Sequence, residues 1–379
     1  MKKILIIPHS ANPQVRIRLL EISRVLSRRY EIFYLSWHEP DVYCLSGRMK
    51  AAFLNTFTTF KFFRLNNMQV VNMPILHRPF SLAGWFNRSQ ILRFMRYQHI
   101  EVLIHGLNYF FPAPLRAASK GNGYLNIFDF NDLPTEATNS SREKIMNSFT
   151  QTEALKADYI TACSFGLVKY VKDNFGKKAV YIPNGADFKE FNLISDFKIN
   201  EIRHKYSSED KFVIGYIGNT GEWVDMNLLV KAYRIFKLNF PRCALWIVGG
   251  GVCFDQYRKE FSGADIVFTG AIPKDQIAAY FAAIDIGVNP SKKSIFQDKA
   301  FHIKLVEYAA ARKIAVSTPL AELEYSQFPH VLIREPLAEC WAKAFMQARD
   351  MGWDKRWDSL SEIYDWNILG EEFTRLIER

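Results

Sequence analysis

The sequence contains no apolar run long enough to cross a bilayer. Its longest, Ile4-Leu5-Ile6-Ile7-Pro8 and Leu245-Trp246-Ile247-Val248, fall far short of the roughly 20 residues a spanning helix needs. Lys2-Lys3, four aliphatic residues and Pro8-His9-Ser10 lack the apolar region and small-residue cleavage site of a secretory signal, so a cytoplasmic protein is expected. Cysteine is sparse: Cys44, Cys163, Cys243, Cys253 and Cys340 are odd in number, with no C-x-x-C pair or His cluster, which argues for free buried thiols rather than zinc or disulfides. Neither G-x-G-x-x-G nor a P-loop lysine follows any strand-like run, which argues against a dinucleotide dehydrogenase or a P-loop NTPase. Acidic residues are absent from Val42 to Ile100, where eight Lys and Arg alternate with Phe53, Phe57, Phe60, Phe62, Phe63, Phe80, Trp85, Phe86 and Phe94.

What is present is a chain of 379 residues, 49% apolar and 23% charged, the balance of a globular protein of about two domains. Residues 1–185 hold 24 Lys and Arg against 12 Asp and Glu, and the remainder 25 against 27, so the whole basic excess lies in the first half. An anionic membrane face, with bases on headgroups and aromatics inserted, would suit that surface. Nucleic acid would suit it too, but net charge is its only support. A third possibility is that the aromatics belong to the core and the bases only solvate the other face.

Periodicity predicts a doubly wound α/β first half: strands over Lys3–Ile7, Glu31–Leu35, Val102–Ile104, Tyr124–Phe128, Tyr159–Ala162 and Val180–Ile182, with an early helix from Val15 to Arg28. The turn formers Pro183-Asn184-Gly185-Ala186-Asp187 mark a boundary. Strand and helix then alternate again, through strands Phe212–Ile217, Leu245–Val248, Ile266–Phe268, Ile286–Val288 and Ile314–Ser317 and a helix over Ile303–Ala311. Two Rossmann-like domains result: residues 1–183, residues 184–352, and a tail over 353–379.

Two glycine-rich turns, Gly218-Asn219-Thr220-Gly221 and Gly249-Gly250-Gly251, close successive strands of the second domain. Open sheets bind ligands there, and a phosphorylated ligand is expected. Lys304 and Glu307 lie three apart on an otherwise apolar helix. Lysine preceding glutamate is the less favourable order for a helix, which points to ligand binding, with Lys304 on a diphosphate and Glu307 on ribose hydroxyls.

In order and spacing, Ile182-Pro183-Asn184-Gly185-Ala186-Asp187, Ile214-Gly215-Tyr216-Ile217-Gly218, Leu245-Trp246-Ile247-Val248-Gly249, Val267-Phe268-Thr269-Gly270 and Lys304-Leu305-Val306-Glu307-Tyr308-Ala309-Ala310 resemble the nucleotide-sugar glycosyltransferases of the GT-B fold. Gly221-Glu222-Trp223-Val224-Asp225 and Asp129-Phe130-Asn131-Asp132 are similar to enzymes of bacterial capsule, teichuronic acid and exopolysaccharide assembly. The resemblance implies two Rossmann-like domains facing a cleft, an acceptor-binding first domain, a nucleotide-binding second domain and a final helix, after Tyr364-Asp365-Trp366-Asn367, crossing back to the first. Donor contacts would fall on Gly218, Asn219, Trp223, Gly249, Gly250, Ile272, Pro273, Ile303, Lys304 and Glu307. It further implies a nucleoside diphosphate sugar, UDP-linked by preference, a lipid-linked or polysaccharide acceptor at the inner face of the cell membrane, and neither metal nor cofactor.

Departures shape the expected chemistry. Retaining members carry a second glutamate where this chain has Lys299, and Arg312 stands where glycine usually ends the helix, which predicts a changed helix end. An inverting transfer needs a base for the acceptor hydroxyl. Asp129, expected at the cleft, is the first candidate and Asp132 the second, with the alternative that Asn131-Asp132-Leu133-Pro134 is only a turn. His9 and His105 follow strands and are candidates for acceptor contacts. Two other functions compete: a nucleotide-sugar epimerase, which has no use for a basic aromatic first domain, and a non-catalytic partner, against which Lys304, Glu307 and Asp129 speak.

Overall fold

Apolar runs without alternation suit strands buried on both faces, and the chain builds two parallel sheets from them. The computed structural model describes residues 1–8, 18–37, 61–73, 80–107, 123–133, 141–326 and 328–379. The chain divides into one unit of Met1–Pro183 with Trp366–Arg379 and another of Asn184–Asp365.

In the first unit the strands are β1 (Lys3–Ile7), β2 (Glu31–Ser36), β3 (Lys61–Leu65), β4 (Met68–Asn72), β5 (Val102–Gly106), β6 (Leu125–Phe130), β7 (Tyr159–Ala162) and β8 (Ala179–Tyr181), with helices α1 (Arg18–Leu26), α2 (Phe80–Gln98), α3 (Ser141–Lys156) and α4 (Phe165–Phe175). Sheet order is β3-β4-β2-β1-β5-β6-β7-β8, parallel except for the antiparallel edge pair β3 and β4. The expected helix from Val15 begins outside the described residues and is seen over α1. Helix α4 is bounded by local chemistry: Ser164 caps the Leu167 N–H at 3.1 Å, and Gly176 turns left-handed at φ 63°.

The second unit has β9 (Phe212–Ile217), β10 (Cys243–Val248), β11 (Ile266–Gly270), β12 (Ile286–Asn289), β13 (Ile314–Ser317) and β14 (Val331–Ile333), all parallel in the order β11-β10-β9-β12-β13-β14. Its helices are α5 (Phe188–Asn192), α6 (Asp196–Lys205), α7 (Met226–Asn239), α8 (Phe254–Glu260), α9 (Ile277–Ala283), α10 (Ile295–Lys299), α11 (Ile303–Ala310), α12 (Ala321–Ser326), α13 (Ala338–Asp350) and α14 (Ser361–Tyr364). One core joins Leu229, Tyr233 and Phe236 of α7 with Trp341 and Phe345 of α13 over Ile214, Leu245 and Val288 of the sheet. The strand order reverses between β9 and β12, so a crevice opens at their carboxyl ends.

Helix α15 (Trp366–Glu378) returns the chain to the first unit, where it lies on α1. Gly370 permits the close approach, since a Cβ there would come within 2.5 Å of Val25. Arg28 bonds Asn367 at 2.7 Å and Arg29 pairs with Glu371 at 3.0 Å.

Candidate active site

Helix α11 is seated from below by Tyr308. Its ring fills the space a side chain at Gly287 would occupy, and its hydroxyl lies 3.0 Å from the Gly215 carbonyl and 3.1 Å from that of Val288. The same oxygen accepts the Ile217 N–H at 3.3 Å. Helix α11 is thereby tied to β9 and β12, the two strands flanking the reversal of order. Four residues before Tyr308, and so on the same side of the helix, Lys304 reaches the turn after β9. A Cβ on Gly218 would stand 3.2 Å from its Nζ, which also lies 4.1 Å from the centroid of the Tyr216 ring.

Among the described residues no carboxylate stands within ion-pair distance of Lys304. Burial pushes its ammonium pKa down to about 7, and the more distant charge of Glu307 only partly counters this. The Tyr216 ring face, a weak cation acceptor worth about 0.5–2 kcal/mol, is what steadies it. An anion would complete the site. Glu307 is partly exposed one turn further along.

The glycine turns behave differently from the sequence expectation. The Gly218 N–H donates to Val248 O at 2.9 Å, Thr220 N–H to Gly250 O at 2.8 Å and Gly249 N–H to Gly270 O at 3.1 Å. These donors lock the turns after β9, β10 and β11 together and do not point at a ligand. Gly249 is required by that contact: its φ is 122°, and a Cβ would sit 2.2 Å from the Gly218 carbonyl. Gly250 meets Ala271, which leads into Ile272 and Pro273. Asn219 lies between the turns, with Oδ1 2.3 Å from where a Gly251 Cβ would be, and Trp223 lies over Gly221 with 39% of its surface exposed. Ile303 opens α11 beside His302, whose ring is bonded to the Gln297 carbonyl at 3.1 Å and held by burial down to about 4. Gly218, Lys304 and the sheet-facing Tyr216, which sequence reasoning did not single out, therefore form one cluster. Tyr216 was legible only as a residue two before Gly218 on the same strand face.

The end of α11 is not changed as expected. Arg312 adopts the left-handed conformation at φ 56° that glycine usually supplies, and Lys313 N–H still closes on Tyr308 O at 2.8 Å. The strain, about 1–2 kcal/mol for a residue with a Cβ, is countered by its bidentate pair with Asp358 at 3.1 and 2.9 Å.

In the first unit the strand-end carboxylates separate. Asp129 is fully buried, and Arg18 Nε lies 3.0 Å from both of its oxygens. Thr161 donates to it at 2.6 Å, and the same arginine donates to the Pro183 carbonyl at 2.6 Å. A carboxylate so occupied is a structural anchor, and its expected role as the base is replaced by this one. Asp132 is partly exposed and its Oδ1 accepts the N–H of Leu133 at 3.0 Å, a turn geometry. Burial nevertheless pushes its carboxyl up to about 7, against the pull of that N–H. His105 is 2% exposed, stacked on Phe128 at 5.0 Å and held by burial down to about 4, so it is enclosed instead of facing a sugar. His9 lies outside the described residues.

Residues 211–348 match the sequence family described as Glycosyl transferases group 1. A Bacillus subtilis (strain 168) protein provisionally named as the teichuronic acid biosynthesis glycosyltransferase TuaH is 27% identical over 243 residues, covering 60% of this chain. The chain spans 58% of that relative's length. Sucrose-phosphate synthase from Thermosynechococcus elongatus superposes over 100% of this chain and 98% of its own, with a TM-score of 0.75 at 12% identity. Anabaena HepE in complex with UDP superposes over 100% of both chains, with a TM-score of 0.71 at 14% identity, and the same protein in complex with UDP-glucose gives 0.72. Residues 211–348 are thus a glycosyltransferase group 1 domain, carried by a chain whose fold is that of the GT-B glycosyltransferases, two Rossmann-like units.

Proposed function

We propose that this protein is a glycosyltransferase that moves a sugar from a nucleoside diphosphate sugar, UDP-linked by preference, to a lipid-linked or polysaccharide acceptor of the bacterial cell surface. The observation that carries the donor assignment is the Lys304 ammonium set against Gly218 at the strand-order reversal, with no carboxylate within ion-pair distance among the described residues. The diphosphate supplies the missing negative charge, Glu307 takes the ribose hydroxyls, and Ile272 and Pro273 line the nucleobase. The UDP bound to HepE and the naming of TuaH for teichuronic acid biosynthesis support the choice of donor and acceptor class.

Lys299, standing where the resemblance puts a glutamate in retaining enzymes, supports transfer with inversion. The acceptor hydroxyl attacks the anomeric carbon, its proton passes to Asp132, and the nucleoside diphosphate leaves with its charge held by Lys304. A carboxyl poised near neutral pH is matched to that proton transfer. Within the acid-free basic stretch, Lys61, Phe62, Phe63 and Arg64 of edge strand β3 are exposed and would suit an anionic membrane face.

UDP should raise the melting temperature by mass action. Lys304→Ala and Glu307→Ala should each reduce that shift while leaving the protein folded. Equal shifts in wild type and both variants would remove the donor site from α11.

A further inference from the structure

At the amino ends of β5 and β6, the end of the first sheet opposite Asp129, lies a cavity of about 550 Å³. Parallel sheets bind their substrates at the other end, so this cavity needs its own explanation. Arg88, Arg96 and His99 line it, and Leu92 and Tyr124 supply apolar wall. The one carboxylate among the described lining residues, Glu101, already accepts the Lys3 N–H at 3.2 Å.

Arg88 is the telling residue. Its Nε is buried and has no acceptor among the described residues. Its own helix supplies no carboxylate, since α2 contains no acidic residue from Phe80 to Gln98. The Nε anchors nothing among the described residues, and the part of the guanidinium that a cavity ligand can meet is the remainder of the fork, where Arg88 lines the wall. The planar guanidinium fork matches phosphate oxygens.

We propose that this cavity is a second anion site, which takes the phosphate of a phosphate ester on Arg88, with Arg96 adding positive potential, His99 offering a ring nitrogen and the ester's organic group lying along Leu92 and Tyr124. The ester is either a soluble metabolite or a phospholipid headgroup. For the second source, Tyr97, next to the lining residue Arg96 on α2, is 78% exposed. The inference is independent of the donor site.

Titration calorimetry on the full chain tests it, with sn-glycerol 3-phosphate, with dihexanoyl phosphatidylglycerol below its micelle concentration, and with octyl glucoside as a neutral amphiphile. At least one of the two phosphates should bind, and Arg88→Gln should weaken it about tenfold or more. Arg88→Lys, which keeps the charge but loses the fork, should fall between the two. Lys304→Ala should bind as wild type does, which separates this cavity from the donor site. Tighter binding of the short-chain lipid assigns the site to a headgroup, and equal binding assigns it to a soluble ester. Failure of both phosphates to bind, undiminished binding in folded Arg88→Gln, or equal binding of octyl glucoside would overturn the proposal.

Discussion

Lys304 stands with a lowered proton affinity because it is buried beside a ring instead of a carboxylate. A diphosphate bound there restores the charge, so binding above about pH 7 takes up a proton. UDP affinity should therefore be highest below pH 7 and weaken from pH 7 to 9, a range in which a phosphate with a second pKa of about 6 no longer changes its own charge. Calorimetry in buffers of different ionisation enthalpy would count the proton, and Lys304→Arg, charged throughout, should flatten the pH dependence. Asp132 carries the opposite shift. As the base it must be ionised, so turnover should rise through about pH 7, and Asp132→Asn should lower it by about 10²–10⁴-fold. Stability should move the other way. Between the unfolded carboxyl's pKa of about 3.9 and the folded value near 7, the native state holds the extra proton, so stability falls as pH rises through that window. Asp132→Asn removes this penalty and should raise the melting temperature at pH 8 but scarcely at pH 4. Unchanged melting at both values would mean that the Asp132 carboxyl is not raised by burial.

The elements most open to sequence reasoning were those with both faces buried. Strands β1, β9 and β10 read as unbroken apolar runs and stand where the pattern puts them. Edge strand β3 was invisible to the same logic, because Lys61, Phe62, Phe63 and Arg64 are all exposed and show no apolar face to count. Lys304 and Glu307 were legible because helical spacing fixes their common side. The locking of the glycine turns was not, since it depends on which carbonyl each N–H meets across three strands. Asp129 shows the limit most clearly: its position at the end of β6 was evident, but its partner Arg18 lies 111 residues away on α1. That pair fastens α1, β6 and β7, so Asp129→Asn should cost about 3–5 kcal/mol by leaving a buried guanidinium uncompensated. Asp129→Leu combined with Arg18→Met should recover much of the loss in chemical denaturation. A single variant as stable as wild type would restore Asp129 as a candidate for chemistry.

Across the whole molecule the basic excess belongs to residues 1–185. Attraction of that region to an anionic membrane, at about 1 kcal/mol per basic residue near the surface, should fade with salt as the Debye length falls from about 10 Å at 0.1 M to 3 Å at 1 M. Vesicle sedimentation would register this, and salt-independent binding to neutral and anionic vesicles alike would count against a membrane role for the charge. The path of the backbone has a different kind of consequence. The second unit is inserted between Pro183 and Trp366 of the first, and α15 is the piece that covers α1. On the ribosome, the unit that begins to emerge first is therefore the one that finishes last. Throughout synthesis of residues 184–365 the nascent first unit carries α1 with its partner helix still unmade. At roughly 5–20 residues per second that interval lasts on the order of ten seconds or more, and an uncovered apolar helix face of this kind is what a chaperone recognises.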